Sequence, residues 1–89
     1  MTSDVALLDS TGNVAVVQVA QRRFPGVLIQ GDTLFTILQD VQYAQQMATS
    51  GDQDELMITL QMLEEKWSTA LNVFEKVCLE RNLGLPYKK

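Results

Sequence analysis

At 89 residues, 46% hydrophobic and 20% charged, the chain has the size and composition of one ordered globular domain, spanning 1–89. It carries no histidine and a single cysteine, Cys78. That excludes an intrachain disulfide and the Ser-His-Asp and Cys-His catalytic arrangements, and it removes the commonest zinc ligand.

The net charge of −4 speaks against a broad basic face for duplex nucleic acid or anionic lipid. Met1-Thr2-Ser3-Asp4 has no basic region and no long apolar run behind it, and nowhere do 18 apolar residues run together. No secretory leader and no membrane span are therefore expected, with a cytoplasmic location. Small domains often draw extra stability from disulfides, metals or partner subunits. The composition leaves the last of these, so a homodimer or higher homo-oligomer is expected.

Val5-Ala6-Leu7-Leu8 meets a turn at Ser10-Thr11-Gly12-Asn13 and continues as Val14-Ala15-Val16-Val17-Gln18-Val19-Ala20. β-branched residues on both sides of Gly-Asn predict a hairpin with strands over about 4–9 and 13–20. Val14 and Val16 point one way and Val17 and Val19 the other, so the sheet is apolar on both faces and asks for cover on both. Pro25-Gly26 fits the central pair of a type II turn with glycine at positive φ. A third short strand follows over about 26–30.

At Thr33 the period changes. Leu34, Ile37, Leu38, Val41, Ala44 and Ala48 recur at helical spacing, predicting a helix over about 33–49 with Asp32 or Thr33 as its N-cap. Ser50-Gly51-Asp52 breaks it, and Asp52 followed by Glu55 resembles a capping box for a second helix over about 53–81. That helix carries a heptad seam, Leu56, Leu60, Leu63, Trp67, Ala70, Phe74 and Val77. Asn82-Leu83-Gly84 and Pro86 stop it, and Leu85 and Tyr87 can fold back along it.

The fold class expected is α+β, a three-stranded antiparallel sheet followed by an antiparallel α-hairpin. The second helix outreaches the first, which points to Leu60, Leu63, Trp67 and Phe74 as an oligomer seam. Packing of the overhang across its own chain is the alternative.

Catalysis finds little material. Cys78 sits late in a helix near Glu75 and Glu80, both of which raise a thiol pKa, so it reads as a small core residue. Asp52-Gln53-Asp54-Glu55 lacks the spacing of a calcium loop and suits a helix N-terminus. No glycine-rich phosphate loop is present. Neither a metal nor a cofactor is expected, nor an enzyme. Met47, Met57 and Met62 read as core filler.

One segment looks selected for more than packing. Arg22 and Arg23 are the only cations before Lys66, and they stand beside Phe24. Two guanidiniums and a ring can hold a carboxylate or phosphate and stack on a base. Gln30 and Asp32 complete the candidate patch, although Asp32 also suits helix capping and an arginine salt bridge.

Arg22-Arg23-Phe24-Pro25-Gly26 through Gln30-Gly31-Asp32, after a Gly-Asn hairpin and before an α-hairpin ending in Leu85-Pro86-Tyr87, resembles a family of small bacterial proteins of unknown function. The resemblance spans nearly the whole chain. It implies a bacterial cytosolic protein and supplies no activity and no site residues.

The reading that follows is a non-enzymatic, self-associating interaction or ligand-binding module, meeting a protein partner or small anionic ligand through Arg22, Arg23 and Phe24. Two alternatives stand beside it. One is an acidic immunity- or inhibitor-type protein that binds a basic partner through Asp52, Asp54, Glu55, Glu64 and Glu65. The other is a small nucleotide-sequestering protein with Phe24 stacked on the base.

Overall fold

A computed structural model describes residues 4–88; the leader reading of Met1–Ser3 lies outside them. Three strands, β1 (Val5–Thr11), β2 (Val14–Val19) and β3 (Gly26–Leu28), precede two helices, α1 (Gly31–Ser50) and α2 (Gln53–Glu80). The sheet is antiparallel in the order β1-β2-β3, so the α+β class and element order are as expected. The chain divides into two compact units, 1–29 with 69–89, and 30–68.

The first unit holds the sheet and the C-terminal part of α2. Thr11 pairs with Val14, leaving a two-residue loop in which Gly12 takes φ 58°. Positive φ at the first central position only is the II′ pattern, whose twist matches that of the strands. Leu7 pairs with Val17 and Asp9 with Val16, so Leu8 is the extra residue of a β-bulge. Such a bulge turns a side chain off the regular alternation, and here Leu8 joins the core.

That core is Val16, Phe74, Val77 and Cys78, with Leu8, Val27, Val73 and Leu85 packed against it. Val16 on the central strand is 0% exposed and Phe74 7%. The overhanging end of α2 therefore covers one face of its own sheet.

The opposite face fares differently. Leu7, Val19 and Leu28 stay exposed there, so cover on both sides, expected from the two-faced valines, is present on one only.

The turn before β3 also departs from expectation. Gly26 has no positive φ and is the first residue of β3, paired with Val17. The left-handed residue is Gln21, at φ 69°, in a turn closed by the Arg22 N–H donating to the Val19 carbonyl at 3.1 Å. The Gln18 amide locks it, donating to the Arg22 carbonyl at 2.7 Å and the Val19 carbonyl at 3.1 Å. Pro25 is buried.

α2 ends in a Schellman motif. Asn82 takes φ 56°, its N–H donates to the Leu79 carbonyl, and the Leu83 N–H donates to the Cys78 carbonyl at 2.9 Å. Gly84, at φ 71°, then turns the chain so that Leu85 reaches the core and the Tyr87 hydroxyl donates to Glu75 at 2.7 Å. Both were expected to fold back.

In the second unit, α1 begins two residues earlier than expected, with Gln30 in extended conformation as N-cap and no side-chain capping bond. Asp32 lies inside the helix and accepts from the Thr33 N–H at 2.8 Å. Gly51, at φ 82°, closes α1. Asp52 accepts from the Glu55 N–H at 3.1 Å, which is the capping bond read from the sequence. The chain reverses there, and the Tyr43 hydroxyl donates to Glu55 at 3.1 Å, tying α1 to α2.

Candidate functional site

The burial pattern of the second unit marks one line along each helix as the covered side. Ala44 on α1 and Thr59 on α2 are buried, with Ile37, Met47, Leu56 and Leu63 half-buried beside them. Thr59 is tolerated because its hydroxyl donates to the Glu55 carbonyl at 2.9 Å.

What remains of the apolar arc looks outward. Leu34, Leu38 and Val41 on α1 are exposed, Leu38 by 54%. On α2 the same is true of Trp67 and of Leu60, which is 46% exposed. At about 100° per residue, the α1 set lies on one flank of its contact line. In an antiparallel pair, Leu60 and Trp67 fall on that same flank of the hairpin. The result is a continuous apolar stripe along one side of 30–68.

The expected seam is thus divided three ways. Leu63 faces its own hairpin, while Leu60 and Trp67 lie on the open flank. Phe74 belongs to the first unit's core and is withdrawn from any seam. The heptad is real, but different members of it meet different neighbours.

The arginine segment sits in the first unit. Arg22 and Arg23 are exposed and Phe24 is half-buried. The Arg23 guanidinium carbon lies 5.2 Å from the centre of the Phe24 ring, within cation–π range. The ring is thereby engaged by its own neighbour. Gln30 and Asp32 belong to the second unit, where they serve the start of α1 as described.

Two features escaped the sequence reading. Arg81 donates to the Leu8 carbonyl at 3.3 Å, pinning the end of α2 to the bulge. Beside that contact, Leu8, Asp9, Lys76, Val77, Glu80 and Arg81 line a depression of about 400 Å³, with two acids facing two bases. Gln18, the lock on the turn, is the other; a glutamine in a strand carries no signal that its amide will cap a loop.

Cys78 is fully buried, and burial followed by the nearby Glu75 charge pushes its thiol pKa up. A nucleophilic thiolate is disfavoured there. Among the described residues no group of three carboxylate, thiol or imidazole side chains could hold a metal ion. No helix there is long and apolar enough to cross a membrane.

Partial burial, and then the Glu75 hydrogen bond, push the Tyr87 phenol up to about 12 from 10.0. The folded state keeps this proton more tightly than the unfolded chain. Its contribution to stability is complete below pH 10 and is lost as the pH climbs through about 12. Urea melts across that window should show falling stability, and Tyr87→Phe should flatten the fall. An identical alkaline decline in the variant would assign it elsewhere.

A family model described as "Family of unknown function (DUF6959)" matches residues 1–87. The chain belongs to the DUF6959 family. No curated protein and no solved structure matches it. Two surfaces of this DUF6959 member stand out: the apolar stripe of the hairpin and the exposed arginine pair.

Proposed function

We propose that the protein is a non-enzymatic interaction module of the bacterial cytosol that works as a homo-oligomer, associating through the open flank of its helical hairpin. The exposure of Leu34, Leu38, Val41, Leu60 and Trp67 on one side carries this reading. Two hairpins meeting along such stripes form a four-helix arrangement at the shallow crossing angle that heptad spacing favours. None of the five is ionisable, and copies of an acidic chain approach most easily where surface charge is lowest.

Leu38→Glu tests it. In a two-fold interface each substitution acts twice. At about 1.5–3 kcal/mol per buried leucine, dissociation should become about 10²–10⁴ times easier. Sedimentation velocity should show a smaller particle with unchanged helical circular dichroism. An unaltered mass would refute the hairpin interface.

The exposure of Arg22 and Arg23 supports a second contact, for an anionic group on a protein partner or a small phosphate-bearing ligand. Native mass spectra of gently purified protein should carry an anionic adduct or partner that a folded Arg22→Ala/Arg23→Ala variant lacks. Equal retention by both proteins would remove the arginines from the contact. The nucleotide-sequestering alternative requires Phe24 for stacking, a role in competition with its contact to Arg23. The acidic-inhibitor alternative draws on Asp52, Asp54, Glu55, Glu64 and Glu65, of which Asp52 and Glu55 already make structural hydrogen bonds.

A further inference from the structure

Among the described residues, two that are not glycine take positive φ, Gln21 at 69° and Asn82 at 56°. Asn82 belongs to the motif that ends α2, and asparagine tolerates that region. Glutamine does so rarely, and no helix ends at Gln21. A strained residue persists where its surroundings over-determine it, and such residues gather at ligand clamps.

The surroundings here are specific. The Ala20 N–H donates to the Asp4 carbonyl at 2.7 Å, and the Arg22 N–H to the Val19 carbonyl at 3.1 Å. From the strand, the Gln18 amide donates to the Arg22 carbonyl at 2.7 Å and to the Val19 carbonyl at 3.1 Å. One side-chain nitrogen thus holds both ends of the turn.

The segment that leaves this turn is Arg22-Arg23-Phe24. Both arginines are exposed, and among the described residues of the first unit neither guanidinium is paired with a carboxylate. Arg23 is braced on the Phe24 ring at 5.2 Å, and Pro25 behind it is buried. Gln18 therefore fixes the backbone of one arginine while Phe24 restrains the side chain of the other.

We propose that Gln18 is the positioning residue of this pair, holding the left-handed turn at Gln21 so that both guanidiniums meet one divalent oxyanion, a phosphoryl group. This role rests on the reading of Arg22 and Arg23 as an anion contact and adds the residue that shapes it. Free, exposed arginines lose most of the energy of such a contact to side-chain ordering and to water. A backbone held beforehand lowers that loss. Planar guanidinium donors match the spacing of phosphoryl oxygens.

Amide NMR titration with pyrophosphate, with acetate at equal ionic strength as control, reads the contact. Gln18→Met keeps the side-chain length and removes its donors. The freed Arg22 carbonyl can turn to water, and circular dichroism checks that the fold holds. Pyrophosphate affinity should fall about three- to tenfold, the scale of one side chain newly ordered on binding. Gln21→Val, at an exposed position, disfavours positive φ from the other side of the turn and should weaken binding similarly. Gln21→Asn leaves that region open and should bind more tightly than Gln21→Val.

Wild-type affinity in folded Gln18→Met and Gln21→Val, with Arg22→Ala/Arg23→Ala losing it, would overturn the positioning role and leave the arginine contact standing. Equal weakening by Gln21→Asn and Gln21→Val would also overturn it, assigning the effect to the glutamine side chain. A wild type that answers pyrophosphate no more than acetate would remove the arginine contact and the positioning role together.

Discussion

Phe74→Ala should cost about 3–5 kcal/mol of unfolding free energy, the largest loss expected from any single truncation in the chain. Phe74 is the bulkiest member of a core whose other buried members are Val16, Val77 and Cys78. Its ring packs among α2 and sheet residues of that core, and truncation leaves a cavity that the surroundings close only in part. A chain of this length is stable by only about 4–13 kcal/mol, so the loss removes about a quarter or more of that margin. Urea denaturation followed by circular dichroism gives the difference directly. A cost below about 1 kcal/mol would mean that the ring is not packed as described.

Val16→Asp should abolish folding. Val16 is 0% exposed on the central strand, between Asp9 on β1 and Val27 on β3. A carboxylate there meets Val77 and Cys78 across the interlayer space and has no donor to satisfy it, a penalty of several kcal/mol. The Asp9 carboxylate on the neighbouring strand adds like-charge repulsion. One residue along, Val17→Asp points to the open face and should leave the monomer folded. A folded Val16→Asp protein alongside an unfolded Val17→Asp protein would reverse the assignment of the two sheet faces.

That contrast also marks how far the sequence could be read. Alternation in Val14-Ala15-Val16-Val17-Gln18-Val19 showed a strand apolar on both sides, but nothing local says which side the chain will cover. The answer lies in the Leu8 bulge and the distant Phe74, a contact about sixty residues away in sequence. The Gly-Asn hairpin, the Asp52 cap, the break at Gly51 and the return of Leu85 and Tyr87 were legible because each is a local signal with its own mechanism.

Pro25-Gly26 misled for a related reason. Its type II signature is strong in isolation, yet Gln18 supplies two hydrogen bonds that stabilise a turn one step earlier, at Gln21. Asp32 and Thr33 looked like caps because their side chains suit the role. α1 begins before them at Gly31, with Gln30 in extended conformation as N-cap and no side-chain capping bond.

The heptad of α2 is periodic, yet its members do not share one neighbour: Phe74 is in the sheet core while Leu60 and Trp67 are exposed. At about 100° per residue Leu63, Trp67 and Phe74 share one arc of about 40°, but the neighbour changes along the helix axis, so burial differs among them and Phe74 alone joins the sheet core. Periodicity reports that a residue is apolar and on an arc; it does not report the partner. The arginine pair was legible as a charge anomaly, and its cation–π contact with Phe24 required the structure.

The central claim is self-association, and native mass spectrometry of the wild-type protein, compared with its denatured mass of 10.0 kDa, tests it most directly. An even-numbered assembly, a dimer or larger, is expected at micromolar concentration. A clean monomer under the same conditions would contradict it, because the hairpin stripe would then remain in water.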